Sequence, residues 1–212
     1  MFDEQAKMEQ QWCIKQFATH KAKLIQDTDR YFIADWRKAD GGGDYYINFI
    51  LDKKRGSLII SGDLGDCIAT WYNELTPAKL CGCIRHDIGY FIRKFQASSD
   101  RYVYDEDDIL NDIKKHFEEE KIEIEPCDDG FDAYADEDEF WDTVESAIYE
   151  SYETQTSFIA SDRLTHLIKK YDSDCYQWLN SCGKRISARI YMWAYALDEM
   201  LKQLGYIESE EK

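Results

Sequence analysis

The sequence predicts an α+β fold: an N-terminal helix on a small antiparallel sheet, followed by a mainly helical C-terminal part. Three observations predict it. Short apolar runs separated by glycine turns occupy residues 31–72. From Pro77 onward apolar residues recur at helical spacing. The 212 residues are 44% apolar and include 6 Trp, 15 Tyr and 10 Phe, enough for a core although 33% are charged.

Residues 3–26 read as one helix, with Met8, Trp12, the stem of Lys15, Phe17, Leu24 and Ile25 near helical spacing and His20, Lys21 and Lys23 facing water. Strands are expected at Tyr31 to Trp36, Tyr45 to Leu51 and Ser57 to Ser61. Asp40-Gly41-Gly42-Gly43-Asp44 and the Lys53 to Gly56 stretch turn between them. Gly62 to Asp66 breaks the pattern, and Cys67 to Tyr72 resumes it as a fourth strand. Thr76-Pro77 starts a helix, with a capping hydroxyl ahead of proline at the first helical position. It should run to Ile84, and a second helix from Asp87 to Phe95. Ala97 to Asp100 reads as loop and Arg101 to Tyr104 as a short strand.

Asp105 can cap a helix over 106–120 whose apolar stripe is Ile109, Leu110, Ile113 and Phe117. Lys121 to Glu125 alternates like a brief strand, and Pro126 to Gly130 reads as loop. Further helices are expected at 136–152, with Phe140, Trp141, Val144, Ile148 and Tyr149 on one side, at 163–171 and at 186–204, where Gly205 terminates the last. Two domains follow: residues 1–104, α+β, and 105–212, acidic and mainly helical.

Charge is distributed unevenly. Asp105 to Glu145 holds 19 acids against Lys114, Lys115 and Lys121, which is −16 of the chain's −17. Such a chain is repelled by nucleic acid and by anionic membrane, and its natural partner is a basic surface. No apolar run approaches the roughly 18 residues of a membrane span. The N-terminus MFDEQAKMEQ is not a signal peptide. The expected location is the cytoplasm. Seven cysteines at irregular spacing fit reduced thiols better than a disulfide framework.

Carboxylates repeated along ordered helices can imitate the phosphates of a duplex, about one charge per 1.7 Å of axis. The plain alternative is a solvated acidic face. Candidate partner-binding residues are Asp128, Asp129, Asp132, Asp136, Glu137, Asp138, Glu139 and Asp142, with Phe131, Tyr134 and Trp141 as aromatic anchors. Reversing charge at Asp136, Asp138 and Glu139 is expected to abolish binding and leave the fold intact.

Other motifs are weaker. Asp128-Asp129-Gly130-Phe131-Asp132 fails the EF-hand pattern, because its third position is Gly130 and its sixth Ala133. Cys81-Gly82-Cys83 with His86 is half a zinc site and reads better as buried thiols on a helix. No catalytic residue, metal or cofactor is assigned. An enzyme reading would use Asp35, Asp63 and Asp66 with a metal, as a hydrolase or nucleotide-processing protein. Asp63 and Asp66 read better as residues of the glycine turn, where Asp is common. A third reading is a structural or assembly protein that forms a homo-oligomer through exposed aromatics.

The run Ser61-Gly62-Asp63-Leu64-Gly65-Asp66, then Trp71, Tyr90-Phe91, Lys94 and Ala97-Ser98, resembles proteins encoded by bacteriophages and prophages. The likeness covers about residues 31–100 and carries no catalytic residue. It implies a bacterial host cell and a small accessory protein. Strongly acidic phage proteins of this kind resemble inhibitors of host defence, including anti-CRISPR proteins and DNA mimics. The resemblance therefore implies a basic nucleic-acid-binding partner, such as a defence nuclease, blocked at its substrate groove.

Overall fold

Alternating apolar residues build a sheet, and a chain excursion between its last strand and its covering helix builds a second unit. The computed structural model describes residues 4–128, 130–154 and 157–208, without the side chains of 4–8, His86, Phe131 and 152–154. Its strands are β1 His20–Asp27, β2 Tyr31–Lys38, β3 Ile47–Asp52, β4 Ser57–Gly62, β5 Cys67–Thr70, β6 Phe95–Ser98, β7 Tyr102–Val103, β8 Tyr152–Thr154, β9 Ser157–Ile159 and β10 Arg185–Ile186. Its helices are α1 Glu4–Gln16, α2 Pro77–His86, α3 Ile88–Arg93, α4 Glu106–Glu120, α5 Glu137–Tyr149, α6 Asp162–Lys169 and α7 Ala188–Gln203. The class is α+β as predicted.

The chain divides into residues 1–101 with 187–212, and residues 102–186. The expected boundary at 104 lies close to the first crossing. The expected C-terminal domain loses its last helix, because α7 packs against α1, α2, β1, β2 and β3. The buried side chains of α7 include Ile190, Trp193, Leu197, Met200 and Leu201, spaced for one face.

In the first unit β1 to β6 lie in sequence order, each antiparallel to the next. Side chains alternate between the two faces. On one, Phe32, Ala34 and Trp36 stand opposite Leu51, Phe49 and Ile47, and Leu58, Ile60, Cys67 and Ala69 continue the layer. All are buried. The other face carries a row of isoleucines in register, Ile33, Ile50, Ile59 and Ile68, one from each of four strands. Ile59 and Ile68 remain 40% and 43% exposed.

Two corrections concern strands. The helix expected over 3–26 ends at Gln16, and 20–27 form β1. Only His20 of that strand is buried, so Lys21 and Lys23 line a sheet edge, where charge discourages pairing with another chain. Ala97 and Ser98, expected as loop, belong to β6, which closes the other edge.

The second unit packs α4, α5 and α6 around Ile109, Ile113, Phe117, Phe140, Val144, Ile148, Leu164, Leu167 and Ile168. β7 pairs with β10, which joins the unit's two ends, and β8 pairs with β9 in a hairpin. Residues 121–126 form no strand; Ile122 and Ile124 pack against the core from irregular chain. Tyr149, expected on the apolar side of its helix, is 61% exposed. Among the described residues no helix is long and apolar enough to cross a membrane.

Candidate interaction surface

The division of the fold coincides with the division of charge. Residues 102–186 contain 24 acids and 8 bases, a net −16; the other unit contains 19 acids and 18 bases, a net −1. Part of that negative charge is neutralised locally. Arg163 Nε donates to Asp132 Oδ1 at 2.7 Å, and its Nη1 to Glu150 Oε1 at 2.6 Å. Arg185 binds Asp112 through Nη1 and Nη2 at 2.8 and 3.0 Å, and Asp108 at 3.2 Å. Burial opposes ionisation of Asp112, but Arg185 and the Gly183 N–H outweigh it and hold the carboxyl below the usual range.

The expected contact residues have different duties. Asp136 caps α5, accepting from the Glu139 N–H at 3.0 Å, and Glu139 reaches back to the Ala135 N–H at 2.7 Å. This is close to the reciprocal arrangement of a capping box. Glu137, Asp138 and Glu139 fill the first turn, where the helix dipole favours anions. Asp132 is held by Arg163, with its side chain only 17% exposed. Asp128, Asp138, Asp142 and, beyond the expected set, Glu145 are exposed. Asp129 and the side chain of Phe131 lie outside the described residues.

Tyr134 is not a surface anchor. It is 2% exposed, its hydroxyl meets that of Tyr171 at 2.6 Å, and its backbone bridges Cys127 in both directions at 2.9 Å. Burial pushes its phenol pKa well up. The charge reversal expected to leave the fold intact therefore touches two caps, each worth about 1 kcal/mol. Asp138, Asp142 and Glu145 are the cleaner targets. At the exposed Tyr149 the phenol is pushed up chiefly by Glu106 and Glu145, a direct mark of crowded negative charge.

Trp141 is half-buried in a cleft of about 420 Å³ between the end of α4 and the start of α5. Phe117, Ile122 and Ile124 contribute apolar walls, and Glu118, Glu123, Glu137, Lys114 and Lys121 the charged ones. The Trp141 Nε1–H donates to Glu137 Oε1 at 3.2 Å, and Phe117 and Phe140 meet the indole edge-on at 5.3 and 4.9 Å. Lys114 Nζ lies over the ring, 5.3 Å from its centroid. α4 ends at Lys121 in a left-handed turn, φ 55°, with Lys121 N–H to Glu118 O and Ile122 N–H to Phe117 O. That pair of bonds is a Schellman motif, and it carries Ile122 back onto the core. The sequence offered Trp141 as a candidate anchor and gave no reading of the cleft. The alternation of Ile122 and Ile124, read as a strand, was the available signal.

The other candidate groups do not converge. Asp35 accepts from Tyr46 Oη at 2.9 Å and Asn48 Nδ2 at 2.8 Å, and Asp63 accepts from the Tyr45 N–H at 2.8 Å. At Gly62, φ +138°, a side chain would strike the Tyr46 carbonyl, so this glycine turn has a structural reason. Cys81 is buried and donates to Asp198 at 3.2 Å, and burial pushes its thiol up to about 12. Cys83, two residues on, points about 200° away around the helix. The His86 side chain lies outside the described residues. Among the described residues no group of three or more His, Cys, Asp or Glu could hold a metal ion.

Neither a curated protein nor a solved structure matches the chain. A family model described as a phage family matches residues 14–190. That span exceeds the 31–100 of the resemblance seen in the sequence and takes in the whole acidic segment. The chain belongs to this phage family, Phage_phiTE_072.

Proposed function

We propose that this phage protein is an inhibitor whose acidic unit binds the basic, nucleic-acid-binding surface of a bacterial defence nuclease and excludes its substrate. The observation that carries the reading is the confinement of net charge −16 to one folded unit, beside a unit of −1. Solubility alone gives no reason for that segregation. Exposed acids on α4 and α5 offer a basic groove many carboxylates on ordered backbone. Encounter with such a groove is fast at low salt and weakens steeply as salt rises.

The test is a pull-down from bacterial lysate at low and high salt, using wild type and the Asp138→Asn, Asp142→Asn, Glu145→Gln variant. A nucleic-acid-binding protein held by wild type, released by salt and lost with the variant is the expected result. Equal capture by both proteins would return the acids to a solvating role.

A second reading, assembly through a homo-oligomer, draws support from the isoleucine row rather than from exposed aromatics. Under it, light scattering finds a dimer or larger species that Ile59→Lys and Ile68→Lys dissolve. The enzyme reading has weaker support, because Asp35 and Asp63 are already engaged by Tyr46, Asn48 and the Tyr45 amide.

A further inference from the structure

We infer that the Trp141 cleft is a receptor for one arginine side chain of the basic partner, and that Lys114 occupies the indole face until that arginine displaces it. This rests on the partner reading above and names its anchoring point.

Three features of the cleft select a cation. The indole presents a face, and its ring plane is fixed by Phe117, Phe140 and the bond to Glu137. Glu118, Glu123 and Glu137 stand on its walls. The C-terminal end of α4 adds the negative pole of a helix dipole. Glu118, Glu119 and Glu120 at that pole are unfavourable for the helix itself.

Shape and charge select arginine over lysine. A planar guanidinium can lie flat on an indole and still direct paired N–H groups to a carboxylate. An ammonium can do one of these at a time. Lys114 already makes the cation–π contact, at 5.3 Å, from the rim of the cleft. Phe117, Ile122 and Ile124 give the methylene stem an apolar wall. The cleft's volume of about 420 Å³ falls within the usual range for ligand pockets.

The experiment titrates the full chain with a fluorescein-labelled oligo-arginine peptide and an oligo-lysine peptide of equal length, each about eight residues, at about 0.1 M salt. Binding is read by anisotropy. Trp141→Ala should weaken oligo-arginine binding by about 10-fold, and oligo-lysine by much less. Lys114→Ala should strengthen oligo-arginine binding by about 3-fold. The control Lys115→Ala changes net charge equally outside the cleft and should have a smaller effect. Asp138→Asn, Asp142→Asn, Glu145→Gln should weaken both peptides alike. If Trp141→Ala loses its circular dichroism, the comparison of Lys114→Ala with Lys115→Ala decides alone.

Equal affinities for those two lysine variants, or loss of both peptides in parallel with Trp141→Ala, would overturn the arginine cleft and leave the acidic-surface reading standing. Failure of wild type to bind either peptide would overturn both.

Discussion

The two units differ in how far their carboxylates are matched. In the sheet unit acids and bases nearly balance, and outside the cluster of Asp198 and Glu199 with Arg85 and Lys202 the ion-paired carboxylates are matched singly. Asp27 meets Lys53, Asp52 meets Arg30, Asp44 meets Lys38 and Asp87 meets Arg93. In the acidic unit Arg163 and Arg185 each serve two carboxylates, and exposed acids still remain. An ion pair at the surface contributes little to stability, on the order of 0–1 kcal/mol. The difference therefore adds little to folding stability, and under the function proposed above it serves recognition. One unit has arranged its charges to be inconspicuous, and the other has kept a field.

The largest effect should come from the best-matched acid of the sheet unit. Asp198 accepts from Cys81, Arg85 and Lys202, and its side chain is 13% exposed. Burial works against its ionisation, but the bonds from Arg85, Lys202 and Cys81 prevail and hold the carboxyl below the usual range. Asp198→Ala removes the shared acceptor of Arg85, Lys202 and Cys81 and should cost about 2 kcal/mol in urea unfolding. A loss below about 1 kcal/mol would put this pair in the surface class.

Next comes the field itself. Glu118 and Glu120 sit at the unfavourable pole of α4, and Asp138, Asp142 and Glu145 crowd α5. Changing all five to their amides should stabilise the acidic unit at low salt by about 1 kcal/mol at most, because relief of repulsion at the other four is partly offset by losing Asp138 from the favourable first turn of α5. Wild type should gain thermal stability when salt is raised, and the five-fold variant should gain little. Equal salt responses would mean that the field has no folding cost.

Acid should separate the units again, through His20. It is 1% exposed, stacks on Trp36 and meets Phe17 edge-on. Burial is the main cause that lowers its pKa, although the Asp44 carbonyl, 3.1 Å from Nε2, opposes it. The unfolded chain takes up a proton near pH 6.5 and the folded chain resists it. Stability is thus complete above about pH 6.5 and falls as pH drops toward the depressed folded value. His20→Phe should flatten that decline between about pH 6.5 and 5. An unchanged slope would move the effect to other groups.

How much of this was legible in the sequence follows from which interactions are local. The strands from Tyr31 to Thr70 announced themselves, because each alternates under a glycine or lysine turn. β1 did not, since Phe17, Leu24 and Ile25 imitate helical spacing and an edge strand needs no buried alternation. The membership of α7 was invisible, because chain order contains nothing about which sheet a helix covers. In the acidic segment the charge was plain but its duties were not. Asp136 and Asp138 look alike in sequence, and only the backbone turn makes one a cap and leaves the other in water. The spacing of Asp136 and Glu139 did carry the capping-box signal. Tyr134 passed for a surface aromatic because its burial depends on the bridge to Cys127 and on Tyr171, 37 residues away.

The smallest effect joins stability and recognition at one residue. Lys121 holds a left-handed conformation, φ 55°, at the place where a Schellman motif favours glycine. A side chain there costs about 1 kcal/mol, partly offset because glycine gives the unfolded chain more freedom. Lys121→Gly should therefore stabilise the acidic unit by about 0.5 kcal/mol in urea unfolding. It also removes a cation from the wall of the Trp141 cleft, so oligo-arginine should bind more tightly. Lys121→Ala removes the same charge without relieving the backbone. If both variants gain affinity and only glycine gains stability, the lysine's charge acts on the cleft and its conformation on the helix. Loss of affinity with either variant would mean that Lys121 helps shape the cleft.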